Sequence, residues 1–262
     1  MMGPGKKLDG PREDIGAGLY GFELPGELAE LVRGYRVERV PWEASGAEIF
    51  VLRDGGEVLY LKSRVSGDRL LRESRMLRWI DGRLPVPEAV FYGASGGREF
   101  LLTTEVEGTP VYRVEGEDRQ DAVVATARAL RMTHSLDVEG CPYAYPLQGK
   151  LEEIEGRLGA DAPEVAGLRD GVPVEDPVFT HGDYCLPNVL VVDGGLGGII
   201  DWDYGGLADR YVDFVLCIWS MGFNYGVEET ERRWAPLFLE EYGVELDPDR
   251  FEYFGRVNAL WE

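Results

Sequence analysis

The apolar pattern of this 262-residue chain changes period near Glu105. Before that point short stretches alternate. In "EIFVLRDGGEVLYLKS" two apolar runs flank "RDGG" and predict a β-hairpin. "PVPEAVFYG" and "REFLLTTEV" predict two further strands. One helix interrupts them: "GDRLLRESRMLRWIDG" carries Leu70, Leu77 and Ile80 at helical spacing, with Asp68 as its N-cap and Gly82 as its stop. Beyond Gly108 the spacing is mainly helical. "EDRQDAVVATARALRMTHSL" sets Val123, Ala127 and Leu130 on one face. More helices are predicted over Ala208–Gly222, over Glu228–Tyr242 and from Pro248 to the C-terminus. The pattern predicts an α+β, two-lobed fold: a flexible tail over residues 1–18, an antiparallel-sheet lobe with one helix over 19–105, and a mainly helical lobe over 106–262.

Composition narrows the function classes. No apolar run approaches the roughly 18 residues of a membrane span. The Gly- and Pro-rich start lacks the apolar core of a signal peptide. Three cysteines form no CxxC pair, which fits a reducing cytoplasm. A formal charge of −21 repels nucleic acid and anionic membranes and favours a cationic partner, although acidity also serves solubility.

The chemistry concentrates in "HGDYCLPNVL", which sets Asp183 and Asn188 five apart around a proline and holds one of only two histidines. "VLVV", the glycine-rich "DGGLGG" and "IID" then predict a hairpin with Asn188 and Asp201 side by side at its open end. Two oxygen ligands on neighbouring strand ends suit Mg²⁺, which completes its shell with water and phosphate. Phosphoryl transfer uses such a set, with one aspartate facing the acceptor hydroxyl and an asparagine and a second aspartate holding metal. It also demands a strand lysine paired with a helix glutamate. Alternation puts Val58, Tyr60 and Lys62 on one face of their strand, and lysine otherwise occurs only at Lys6, Lys7 and Lys150. Glu73 lies on the apolar stripe of its helix, where a carboxylate requires a cation. Taken singly, a Lys–Glu pair is most often structural and an Asp–Asn pair most often turn chemistry. The ordered set Lys62, Glu73, Asp183, Asn188, Asp201 points instead to a kinase. His181 is read as an orienting residue in its loop and His134 as a satisfied core residue. Cys185 lacks a neighbouring base for nucleophilic work.

The runs "LYLK", "RES…LRWIDGRLPVP", "LLTTEVEG", "THSLDVEGCPY", "HGDYCLPNV" and "IIDWDYGGLADRYVDF" together resemble the aminoglycoside phosphotransferases, in particular those acting on the 3′-hydroxyl, from about Glu27 to the C-terminus. The resemblance implies a protein-kinase-like fold, ATP and Mg as cofactors, and a role in antibiotic resistance. It implies that Ser45 meets the ATP phosphates, that Tyr60 stacks on adenine, and that the backbone of Thr104 and Val106 reads the base. Lys62 and Glu73 take the ion-pair roles, Asp183 faces the hydroxyl, and Asn188 with Asp201 holds the metal. Only eleven residues separate Asp201 from Asp213, too few for a peptide-binding activation segment, so the acceptor is a small hydroxylated molecule, with no protein partner required.

The acceptor end departs from the family. Asp203 and Tyr204 stand where these kinases usually have Gly-Arg. Phe223 and Asn224 replace acids sometimes found after the helix. The chain ends "NALWE", with Asn258 and Ala259 in place of an acidic pair and Glu262 terminal. The acidic segment Glu152–Asp176 is the candidate compensation. Asp203, Tyr204, Phe223, Asn258 and Glu262 are therefore the acceptor candidates, and Asp213 is grouped with His181 as an orienting residue. The rival readings are a kinase of a macrolide, another antibiotic or a metabolite, a nucleotide-binding pseudoenzyme, and, more weakly, a metallohydrolase.

Overall fold

A computed structural model of the chain describes residues 21–41, 46–169 and 171–261, so the predicted tail, Ser45 and Glu262 lie outside the described residues. The chain divides into two compact units, Met1–Ser74 with Glu88–Glu105, and Arg75–Pro87 with Val106–Glu262.

In the first unit, helix α1 (Gly26–Leu31) precedes strands β1 (Arg36–Val40), β2 (Glu48–Asp54) and β3 (Glu57–Val65). Helix α2 (Arg69–Ile80) follows, then β4 (Ala89–Ser95) and β5 (Arg98–Thr104). The five strands form one antiparallel sheet in the order β1-β2-β3-β5-β4. The "RDGG" turn pairs Asp54 with Glu57 and needs Gly55 at φ 58°, a left-handed conformation that costs glycine nothing. Alternation along β3 buries Leu59, Leu61 and Ser63 and leaves Val58, Tyr60 and Lys62 half-exposed on the other face. Leu59 and Leu61 join Leu28, Phe50, Leu52, Phe91, Phe100 and Leu102 in the core. Asp68 sits at the start of α2, where its main-chain carbonyl accepts from Arg72 N–H (2.9 Å).

The second unit carries α3 (Asp118–His134), α4 (Leu147–Leu158), α5 (Pro163–Arg169), α6 (Tyr211–Tyr225), α7 (Val227–Glu229), α8 (Ala235–Tyr242) and α9 (Pro248–Trp261). Two small antiparallel sheets accompany them. One is β6 (Thr109–Pro110), β8 (Val189–Val192) and β9 (Gly195–Ile199); the other pairs β7 (Pro177–Thr180) with β10 (Gly206–Asp209). Phe179 stacks on Trp202 at 5.6 Å in a core shared by Tyr184 and Phe214.

Several elements differ from expectation for local reasons. Helix α6 starts at Tyr211, not Ala208, because Ala208 pairs with Val178 in the sheet and Asp209 Oδ1 accepts the Tyr211 N–H (2.9 Å) at the corner. The helix expected from Glu228 contains a π-helical turn, Thr230–Trp234, between α7 and α8. The glycines of "DGGLGG" do not all form a turn. Gly195 to Gly198 lie in β9, where a Cβ at Gly197 would stand 2.5 Å from Glu107 O and one at Gly198 2.8 Å from Pro85 O. Close backbone approach accounts for them.

Candidate active site

Strand β7 delivers the chain into the loop His181–Asn188, and a buried carboxylate clamps the loop's start. Asp213, in the first turn of α6 and 0% exposed, accepts the His181 N–H through Oδ2 and the Gly182 N–H through Oδ1, both at 2.8 Å. His134 Nε2 lies 3.0 Å from the same Oδ2, and its Nδ1 is 2.9 Å from the Tyr242 hydroxyl. Burial alone would raise the Asp213 pKa. The His134 hydrogen bond, the two imidazoles and the His181 N–H outweigh it and hold the carboxyl below its ordinary value. The His181 ring is also fully buried, with Nε2 2.9 Å from Ile200 O and Nδ1 accepting from Asp183 N–H at 3.2 Å. That pair of contacts selects the Nε2–H tautomer and ties the loop to the strand that leads to Asp201.

The loop then brings Asp183 and Asn188 together. Asn188 Nδ2 donates to the Asp183 carbonyl (2.9 Å) and to its Oδ2 (3.1 Å), which turns Asn188 Oδ1 the other way on the planar amide. Asn188 O accepts from Ile200 N–H (2.9 Å), so Asp201 follows directly on the residue bonded to Asn188. Asp201 has a positive φ of 71°, the αL region that Asp tolerates better than most residues. Burial, and then the charge of Asp201, raise the Asp183 pKa against His181, Cys185 and Asn188, which lower it. Two hard oxygen donors, one amide and one carboxylate, at adjoining strand ends fit a magnesium ion that keeps most of its shell as water and phosphate. The Cys185 thiol donates to Asp183 Oδ1 (3.2 Å), and burial pushes its pKa far above the thiol range, so it stays protonated.

In the first unit, Lys62 Nζ on β3 lies 2.6 Å from Glu73 Oε1 on α2, and Glu73 is 3% exposed. Tyr60 shares the Lys62 face. Its hydroxyl pKa is raised by burial first and then by the Glu105 carboxylate. The Thr104 N–H is committed to Glu88 O (3.1 Å) and the Thr104 Oγ1 accepts from Glu88 N–H (2.9 Å), so a base contact at Thr104 would fall to its carbonyl. Val106 opens the second unit, where its side chain covers Gly198.

The acceptor candidates separate into two places. Tyr204 packs against the loop: a Cβ on Gly182, at φ 81°, would stand 2.3 Å from Tyr204 O. Tyr204 also meets Trp261 edge-on at 5.6 Å, on the helix that carries half-buried Asn258. Asp203, beside it, is half-buried. Phe223 is 77% exposed and stacks on Trp219 (5.6 Å) on α6, apart from that aromatic group. The acidic segment is two helices, not a bare charged run, and several of its acids have partners. Glu153 accepts from Trp261 Nε1 (3.0 Å), Glu155 pairs with Arg169 (2.6 Å), and Glu175 accepts from Leu147 N–H (2.7 Å). Sequence reasoning missed Trp261, Lys150 under its ring, and Ser220, whose hydroxyl accepts from Leu186 N–H (3.0 Å). The only advance signal was the scarcity of lysine.

An antiparallel-sheet unit followed by a helical unit is the kinase-like architecture of the solved aminoglycoside phosphotransferases. The chain superimposes on the type VIII aminoglycoside-3′-phosphotransferase with a TM-score of 0.73 at 28% identity, over 86% of this chain and 93% of that one. The Streptomyces rimosus aminoglycoside phosphotransferase gives 0.73 at 25% identity, over 86% and 92%. In sequence, the chain is 30% identical over 261 residues to an aminoglycoside 3′-phosphotransferase of Enterococcus faecalis (90% of this chain, 97% of that protein). It is 35% identical over 212 residues to one of Niallia circulans (74% and 79%). Residues 36–254 match the phosphotransferase enzyme family, and the chain belongs to that family.

Proposed function

We propose that the enzyme moves the γ-phosphate of ATP to a hydroxyl of a small cationic acceptor, an aminoglycoside antibiotic, and so confers resistance to it in the cytoplasm. The observation that carries the reading is the Asp183–Asn188 pair, held in a loop whose first two N–H groups are clamped by Asp213. Asp183 accepts the acceptor hydroxyl proton as the oxygen attacks the γ-phosphorus; the bond to the β-phosphate oxygen breaks and ADP leaves. The raised pKa of Asp183 suits a base, because a carboxylate near its usual value is a poor proton acceptor at neutral pH. Lys62, held by Glu73, contacts the ATP phosphates, and Tyr60 with the backbone of Thr104 and Val106 receives adenine. Asn188 Oδ1 and the Asp201 carboxylate would hold magnesium, which when bound neutralises charge on the phosphate oxygens. Ser45 belongs to the phosphate contacts by the family resemblance. The acceptor is assigned to Asp203, Tyr204, Asn258 and the terminal Glu262, with Phe223 as an outlying contact.

The test is ATP consumption with and without each of a panel of aminoglycosides, macrolides and amino alcohols. Turnover with kanamycin- or neomycin-like acceptors supports the proposal. Turnover only with a neutral macrolide refutes the acceptor and leaves the phosphotransferase.

A further inference from the structure

Lys150, on α4, is 7% exposed, and its Nζ lies 4.0 Å from the centre of the Trp261 ring. Among the described residues, the neighbour of that ammonium is the Trp261 ring, and the nitrogen is not sealed from solvent. The side chain is buried along its stem, and that burial lowers the pKa to about 8. Asp213 on α6, Glu153 on α4 and Glu175 before β7 pull the value back up from longer range.

The surroundings are those of a cation seat. The indole face of Trp261 is flanked by Tyr204 (5.6 Å) and Tyr145 (6.4 Å), and its Nε1 donates to the Glu153 carboxylate (3.0 Å). Aromatic faces beside carboxylates bind ammonium groups. One contact joins this seat to the loop of Asp183: the Tyr204 carbonyl packed on Gly182.

We propose that Lys150 is a specificity-determining residue: its own ammonium occupies the Trp261 face beside Tyr204 and repels an acceptor ammonium from that part of the site. The inference rests on the cationic-acceptor reading above. It explains how a strongly acidic protein can still discriminate among polycations, which general attraction would bind with little selection.

The test compares wild type, Lys150→Met, Lys150→Gln and Lys150→Arg by calorimetric titration with kanamycin A at pH 7 and pH 9.5. Methionine keeps the volume without the charge, glutamine is the second neutral variant, and arginine keeps the charge. At pH 7 both neutral variants should bind about three- to tenfold more tightly than wild type, equivalent to about 0.7–1.4 kcal/mol. At pH 7 Lys150→Arg, which keeps the charge, should bind as weakly as wild type, and at pH 9.5 all four proteins should converge because Lys150 and the acceptor amines both lose protons. Neutral variants that are folded and bind no more tightly than wild type at pH 7 would overturn the inference while leaving the acceptor reading in place. Absence of kanamycin binding by all four proteins would overturn the acceptor reading and this inference with it.

Discussion

Asp213→Asn should be strongly destabilising. The carboxylate is 0% exposed and serves three donors: the N–H groups of His181 and Gly182 at 2.8 Å and the His134 ring at 3.0 Å. An amide of the same shape offers one acceptor oxygen and turns an N–H₂ toward at least one of those donors. One charge-assisted hydrogen bond is lost, at about 1.5–3 kcal/mol, and one buried N–H is left unpaired, at about 1–3 kcal/mol, so roughly 3–5 kcal/mol of stability should disappear. The sign with pH follows from the depressed carboxyl pKa. The folded value lies below the unfolded one, so the contribution is complete above the ordinary carboxylate range and is lost as pH falls through the folded value. Urea unfolding of wild type and variant, monitored at pH 7 and at successive pH values below about 4, measures both. Because the same carboxylate places His181 and Gly182, misplacement of the loop should also lower kcat by about 10²-fold. A variant within about 1 kcal/mol of wild type at pH 7, with kcat unchanged, would refute the clamp.

Three further outcomes are expected. Lys62→Ala should raise the KM for ATP and lower kcat, Glu73→Ala should do so more weakly, and the double variant should lose less than the sum; strict additivity would mean that the 2.6 Å pair does not act as a unit. Lys150 titrates at about 8 in the folded chain against about 10.4 unfolded, so the unfolded state binds more protons between those values and stability should rise with pH there, by roughly 3 kcal/mol in total. Lys150→Met should abolish that slope, and an identical pH–stability curve for the two proteins would contradict it. Gly182→Ala should disable the loop, because φ is 81° and the new Cβ would stand 2.3 Å from Tyr204 O; wild-type kcat and unfolding midpoint in this variant would show that the backbone yields freely.

Much of the first unit was legible because its strands are long and one-sided. Leu59, Leu61 and Ser63 alternate with Tyr60 and Lys62, and the "RDGG" turn fixes their register. Strands β7 and β10 escaped notice because each has only four residues, too few for a periodicity to read. Helices α4 and α5 were hidden in an acidic run, where only Leu147, Ile154, Val165 and Leu168 report the buried side. The set Lys62, Glu73, Asp183, Asn188 and Asp201 stood out because each residue type is chemically demanding and their order matches phosphoryl transfer. The Trp261–Lys150 contact could not be read, since it joins residues 111 positions apart on α4 and α9 and follows no local rule.

In the proposed reaction Asp183 takes the proton of the acceptor hydroxyl as the phosphoryl group moves to it. Single-turnover reaction of the enzyme with ATP, magnesium and kanamycin A, with the product read by mass and ³¹P resonance, tests it most directly. A singly phosphorylated acceptor and stoichiometric ADP are expected, with the rate falling about 10²–10⁴-fold in Asp183→Ala while nucleotide affinity holds. A rate within threefold of wild type in that variant would contradict it.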